Sequence, residues 1–326
     1  MTLPYQGSAR FPGPLGTRRG TLGGRLPGPL QFKQVEVKGA ATKATRTVQM
    51  PAPWVHKDEH TRIVKVDWPL SKGMPAMNDV RQGGVSNCPV AAILAALAHT
   101  EIGRKYLDGM ITEYTGVPVK TVVSGALMKM FEDQSANDAP GDYKTQEKEV
   151  ISNRYFTVPF YKGEVHDTFY ATYSDDFSKS SNIELVFMRS PDNVNVLWPA
   201  VIEKACAFVL GSYAEMGNAH KHSVNEFWEL LVGKKPDGFE ITETTDFDKI
   251  RNAGNDAKRI PTIGATKEKL ESSGNVAPPV SAFHGHAILR MLDANTIEVF
   301  DPNGRTIALS LADFRKHFLA VYYGYP

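Results

Sequence analysis

Residues 89–98 are apolar at every position, and the nine residues before the preceding Cys88–Pro89 step are polar or glycine apart from Val80 and Val85. A helix with no polar face is buried all round. The pattern therefore predicts a short central helix entered from a glycine-rich loop. A second apolar stretch, 197–210, sets Ile202, Cys206 and Leu210 four residues apart on one inner face, so it predicts a longer helix with Cys206 in the core. Aromatic, β-prone runs at 155–161 and 169–173 read as strands. The mostly apolar run 287–292 and the run 296–300 flank Asp293-Ala294-Asn295, which predicts a hairpin.

These elements give an α+β chain in two subdomains. Order is expected to begin near Val64, with a helix-rich half over 63–236 that continues through the Leu107 and Met128 regions. Residues 133–149 are hydrophilic and predict a surface insertion. A β-rich half follows over 237–326.

Residues 1–62 read as a basic, Gly/Pro-rich disordered tail. No acidic residue precedes Glu36, whereas Arg10, Arg18, Arg19, Arg25 and Lys33 are basic. The run Arg10-Phe11-Pro12-Gly13-Pro14-Leu15 recurs as Arg25-Leu26-Pro27-Gly28-Pro29-Leu30. Docking, inhibition and export into a host or target cell are the functional alternatives to a plain linker. The first 30 residues hold five prolines and seven glycines and lack an apolar core, unlike a secretory signal.

Composition narrows the classes further. A chain of 326 residues with 42% hydrophobic content buries one large or two moderate cores. Its net charge of +1 gives no electrostatic case for nucleic acid or a membrane surface. The ten apolar residues 89–98 fall short of the roughly 18 to 20 that span a bilayer. Two cysteines make no disulfide framework, so a reducing, cytoplasmic home is expected.

Cys88 stands where the loop becomes the helix. The first N–H groups of a helix lack intrahelical partners and carry the positive end of its dipole, which favours a thiolate there. Gln82, six residues upstream, can fold its amide over the thiol and join the Cys88 N–H as a donor to a developing oxyanion. A nucleophilic cysteine needs a base, and the base an orienting partner. In the expected hairpin, His286 and Asp301 lie about equally far from the turn, on neighbouring strands at its open end. His284 points to the same face as His286 in an extended chain, so the pattern leaves two imidazoles for one role. A lone cysteine beside an alanine-rich helix is usually a small core residue. The conjunction of Gln82, Cys88, His286 and Asp301 sets this one apart.

The segment Gln82-Gly83-Gly84-Val85-Ser86-Asn87-Cys88 resembles the Q-G-x-x-G-D-C signature of the calpain catalytic core, including the alanine-rich helix that follows. Residues 183–190 (Ile-Glu-Leu-Val-Phe-Met-Arg-Ser), 197–207 and 211–215 are similar to the calpain runs E-L-V-F-x-x-S, F-W-x-A-L-L-E-K-A-Y-A and G-S-Y-E. Gly285-His286-Ala287 and Asp301-Pro302-Asn303-Gly304 resemble G-H-A-Y and N-P-W-G. The three ordered matches cover most of 70–310. They imply a papain-like two-subdomain cysteine protease, its helical half carrying Cys88 and its β-rich half His286 and Asp301. The implied activity is endopeptidase action on proteins or peptides, with Gln82 in the oxyanion hole. The resemblance selects His286 over His284. An acyltransferase or transamidase would use the same chemistry, and an inactive peptide-binding module is the alternative from another class.

Departures from the calpain pattern bear on both readings. Asn87 and Pro89 replace the family's Asp and Trp beside the nucleophile, while Asp301 and Asn303 replace the Asn and Trp of N-P-W-G. Asp orients an imidazole as Asn does and its charge further stabilises an imidazolium. Asp79 matches an acidic residue that calpains use for calcium, but Val196 stands where they have Glu before F-W, and only about 22 residues follow Gly304. A hard cation wants about six or more oxygen ligands. Activity without calcium, and without any cofactor, is therefore expected. His220 with His222 and His284 with His286 could pair on zinc, yet no third acidic or thiol ligand shows metal-site spacing, and zinc on His286 would disable the base.

Overall fold

The computed structural model describes residues 46–49, 61–122, 150–163, 165–172, 184–191, 194–217, 223–270 and 278–326. The expected insertion at 133–149, the region of Met128, and His220 with His222 lie outside these residues. Helices and sheets are mixed throughout, so the chain is α+β.

Helix α1 (Cys88–His99) is the hub. Every residue from Cys88 to Ala98 is buried, and side chains such as Ile93 and Leu94 are wholly so. Each contributes about 1.5–3 kcal/mol by leaving water. Pro89 occupies the first turn, where the missing N–H costs nothing and the fixed φ suits a helix. Asn87 precedes it at φ −108°, ψ 32°, outside the helical geometry, and its carbonyl accepts the N–H of Val90 and of Ala91. Helix α2 (Glu101–Met110) follows directly, capped by the Thr100 hydroxyl on the Gly103 N–H.

The first half is richer in strand than expected. After α2 come β3 (Thr112–Val122), β4 (Val150–Thr157), β5 (Val165–His166), β6 (Thr168–Thr172) and β7 (Glu184–Leu185). The run Thr112–Val122 is dense in Thr, Val and Tyr, residues that suit a pleated surface better than a helix. Strands β1 (Arg46–Gln49) and β2 (Thr61–Lys65) precede α1, and β1 pairs with β3 in parallel. Strand β1 lies within the stretch expected to be tail, and the boundary at 62 falls inside β2. Two sheets result, of order β1-β3-β4-β5 and β2-β6-β7. Helices α3 (Trp198–Leu210), α4 (Tyr213–Met216) and α5 (Val224–Val232) complete this half.

The remaining residues form a six-stranded antiparallel sheet, order β12-β11-β10-β9-β13-β8. Its strands are β8 (Asp237–Glu240), β9 (Thr262–Thr266), β10 (Gly285–Met291), β11 (Thr296–Asp301), β12 (Arg305–Ser310) and β13 (Phe318–Tyr323), with helices α6 (Phe247–Asp256) and α7 (Leu311–His317) between them. Alternation along β10 assigns the two faces. Ala287 and Leu289 pack in the same core as α1, whereas Ile288 joins Phe314, Phe318 and Val321 in a second core.

Helix α1 lies against β10. At its C-terminal end the His99 ring meets the Leu289 carbonyl at 2.9 Å. At its start the fit depends on Gly285, where a Cβ would stand 3.1 Å from that of Ala92 and 3.2 Å from the Cys88 carbonyl oxygen. The missing side chain brings the first turn of α1 to the edge of β10, and with it Cys88.

Candidate active site

The loop ahead of Cys88 is pinned on two sides. Arg81 and Arg189 exchange backbone hydrogen bonds of 2.8 and 3.0 Å, and the Gly84 N–H donates to the Val186 carbonyl at 2.7 Å. Gly83 permits this approach, since a Cβ there would fall 2.2 Å from the Phe187 backbone. On the other side the Gln82 N–H donates to the Pro302 carbonyl at 2.9 Å, which ties the loop to the turn between β11 and β12. The Gln82 side-chain amide donates one N–H to the Val85 carbonyl at 2.8 Å. Its nitrogen carries a second N–H.

Behind Cys88 lies a buried carboxylic acid that the sequence reading did not include. Glu203 on α3 is fully enclosed; one oxygen accepts from the Asn87 amide at 2.6 Å and the other from the Met188 N–H at 2.8 Å. Burial drives its pKa up to about 8 against the downward pull of these two donors. Its neighbour Lys204 is equally buried; desolvation lowers its pKa to about 7 although Asp167 pulls the other way. Glu203 thus joins the residue before Cys88 to the segment on which the Gln82 loop rests. The only legible hint was a Glu-Lys pair inside an apolar helix, which are rarely buried types. Cys206 sits fully in the core, as expected, and burial pushes its thiol pKa up.

On the β side, the last paired residues of the hairpin are Ala287 and Phe300, which makes His286 and Asp301 the next residues outward. The imidazole that engages Asp301 is nevertheless His284. Its Nε2 lies 3.0 Å from Asp301 Oδ1, and the Cys88 thiol is near enough to favour the protonated ring. Burial alone would lower the His284 pKa, but the bonds to Asp301 and Cys88 and their charges raise it to about 9. Cys88 is 6% exposed, and its thiol lies 3.8 Å from the Phe283 carbonyl oxygen. Asp301 is wholly buried and held by three donors: His284, the Asn303 N–H at 2.9 Å and Arg305 Nε at 3.0 Å. Burial would raise its pKa, and these donors more than reverse it, keeping the carboxyl below its ordinary range.

His286, the imidazole expected to be the base, stands elsewhere. Strand β10 begins at Gly285, so His286 is already inside the sheet, opposite Gly264 of β9. The space that a side chain on Gly264 would need is filled by the Phe318 ring, whose centroid is 5.5 Å from that of His286. His286 is fully buried and neither ring nitrogen makes a hydrogen bond of good geometry. The His284 carbonyl favours a proton on this ring but is already taken by the Thr266 N–H and hydroxyl. Burial first, and the neighbouring His284 charge second, bring the His286 pKa down to about 3. A group so hard to protonate is a poor general base at neutral pH. The structure therefore moves the imidazole beside the thiol from His286 to His284, one step outside the strand.

Asp79 is engaged in structure. Its Oδ2 accepts from the Ala76 N–H and from Trp198 Nε1, each at 2.9 Å. Val196, at the other position where calpain-type calcium ligation would need an acid, is 1% exposed and apolar. Of these two positions only Asp79 offers a carboxylate, and that carboxylate is already engaged by Ala76 and Trp198.

No protein-family model matches the chain, and no curated protein is significantly similar to it. Among the described residues no helix is long and apolar enough to cross a membrane.

Proposed function

We propose that the chain is a papain-like cysteine endopeptidase of calpain type, in which Cys88 is the nucleophile, His284 the base and Asp301 its orienting partner. The observation that carries this reading is that Cys88, at the start of α1, packs against Phe283 and Gly285, while the ring of His284 between those two residues reaches the Asp301 carboxylate at 3.0 Å. Asp301 on Nε2 fixes the tautomer and leaves Nδ1 for the thiol. A His284 pKa of about 9 favours the imidazolium at neutral pH. The thiolate attacks the scissile carbonyl carbon. The second amide N–H of Gln82 and the Cys88 N–H stabilise the oxyanion, and His284 passes its proton to the departing amine. A water, deprotonated by His284, then cleaves the acyl-enzyme, and the sulfur departs as the thiolate beside the restored imidazolium.

Two elements that meet through buried contacts need no ion to align them. Packing of Ala287, Leu289, Ile263 and Phe300 against α1 supports activity in the absence of calcium. The test is digestion of an unfolded protein by wild type and by Cys88→Ala, each with and without a calcium chelator, with the products identified by mass spectrometry. Equal cleavage by wild type in both conditions and none by the variant is expected. Cleavage that persists in Cys88→Ala rejects the nucleophile, and cleavage only with calcium rejects the self-aligned cleft.

A further inference from the structure

We infer that His286, His284 and Asp301 form a transition-metal site, best suited to Zn2+, whose occupation would switch the proposed protease off. The ligand-bearing atoms of these three residues lie within 4.8 Å of one another, all in buried residues. Two imidazoles and a carboxylate are the donor set of many three-ligand zinc centres, and a fourth position is left for a thiolate or water. The sequence reading lacked the third ligand because Asp301 is brought to the two histidines by the hairpin, at no metal-site spacing along the chain.

His286 is the residue that points to a ligand. It is fully buried and neither ring nitrogen has a well-aligned partner, an unfavourable condition for a polar group. The proposed chemistry does not use it. Whichever ring nitrogen of the neutral imidazole carries the proton, the other presents a lone pair to a metal ion. Asp301 is steadied from outside by Arg305 and the Asn303 N–H.

Metal bound here replaces the hydrogen bond between His284 and Asp301 with two coordinate bonds. The imidazole then has no lone pair free to take a proton from Cys88. Only this consequence rests on the protease reading; binding itself does not.

The experiment is calorimetric titration of the metal-free full chain with Zn2+, on a Cys88→Ala background so that neither catalysis nor a simple thiol–imidazole site contributes. Co2+ absorption spectra report the ligand geometry. One ion per chain is expected, with a tetrahedral Co2+ spectrum. His286→Leu should weaken binding by more than the roughly 10- to 100-fold typical of losing an outer-shell partner. Should His286→Leu fail to fold by circular dichroism, a zinc-edge anomalous map of crystals soaked in Zn2+ decides, with a peak expected within bonding distance of both His286 and Asp301. No binding at micromolar Zn2+, unchanged affinity in folded His286→Leu, or a peak on His284 without His286 overturns the proposal. Failure of the protease reading would leave every one of these binding results unchanged.

Discussion

His284 Nε2 stands 3.0 Å from Asp301 Oδ1, while His286, two residues along the same strand direction, has no hydrogen bond of good geometry. Their rings meet edge to face with centroids 4.9 Å apart, so both reach the same small volume from one side of the chain. What separates them is the start of β10. His284 precedes the first paired residue and turns toward Cys88, whereas His286 is fixed in the sheet beneath Phe318.

The pH dependence of turnover follows from that pairing. His284 holds its proton up to about 9 because Asp301 and Cys88 more than offset the effect of burial. In the proposed mechanism the imidazolium is the proton donor to the leaving group, so kcat/KM should fall as pH rises through about 9. In Asp301→Asn one of the two raising partners loses its charge, and the alkaline limb should move to lower pH. Profiles of both proteins on one peptide substrate check this; superimposable alkaline limbs would count against Asp301 as the partner.

Gln82 is expected to act on the transition state. Its amide already gives one N–H to Val85, which holds the second in a fixed direction. Loss of one oxyanion donor costs roughly 100- to 1,000-fold in rate. Gln82→Ala should lower kcat by about that factor with little change in KM. Steady-state kinetics that place the effect in KM alone would make Gln82 a binding or folding residue.

Glu203 supports the start of α1 from behind, through Asn87. Between pH 4.5 and about 8 the folded chain keeps a proton on Glu203 that the unfolded chain has lost, so this group makes stability fall as pH rises through that window. Glu203→Gln cannot titrate and should flatten that part of the curve. Glu203→Leu leaves the Asn87 amide and the Met188 N–H without their acceptor and should cost at least about 2 kcal/mol in denaturant unfolding. A Glu203→Gln stability curve with the wild-type slope between pH 4.5 and 8 would contradict this account.

Much of the site was legible in the chain because its signals are local. The all-apolar run after Cys88 fixed helix α1 and its start, and the turn at Asp293-Ala294-Asn295 fixed the hairpin that brings Asp301 back to the histidines. The choice between His284 and His286 was not legible. A period of two puts both on one face, and only the boundary of β10, set by its pairing with β9, decides which ring is buried in the sheet. Glu203 was hidden because its partner Asn87 is 116 residues away. The strands β1 and β3 were missed for a related reason: β1 is a four-residue segment inside a basic stretch, and its ladder is supplied by β3.

The central claim is that Cys88 is a nucleophile activated by His284. It is tested most directly by the second-order rate at which a peptidyl fluoromethyl ketone alkylates Cys88 in wild type, His284→Gln and His286→Gln, read by mass spectrometry of the modified peptide with a calcium chelator present. The account predicts rapid labelling of wild type, loss of more than about 100-fold in His284→Gln, and a rate in folded His286→Gln that stays far closer to wild type. Labelling that survives in His284→Gln and disappears in folded His286→Gln would return the base to His286 and contradict the arrangement described above.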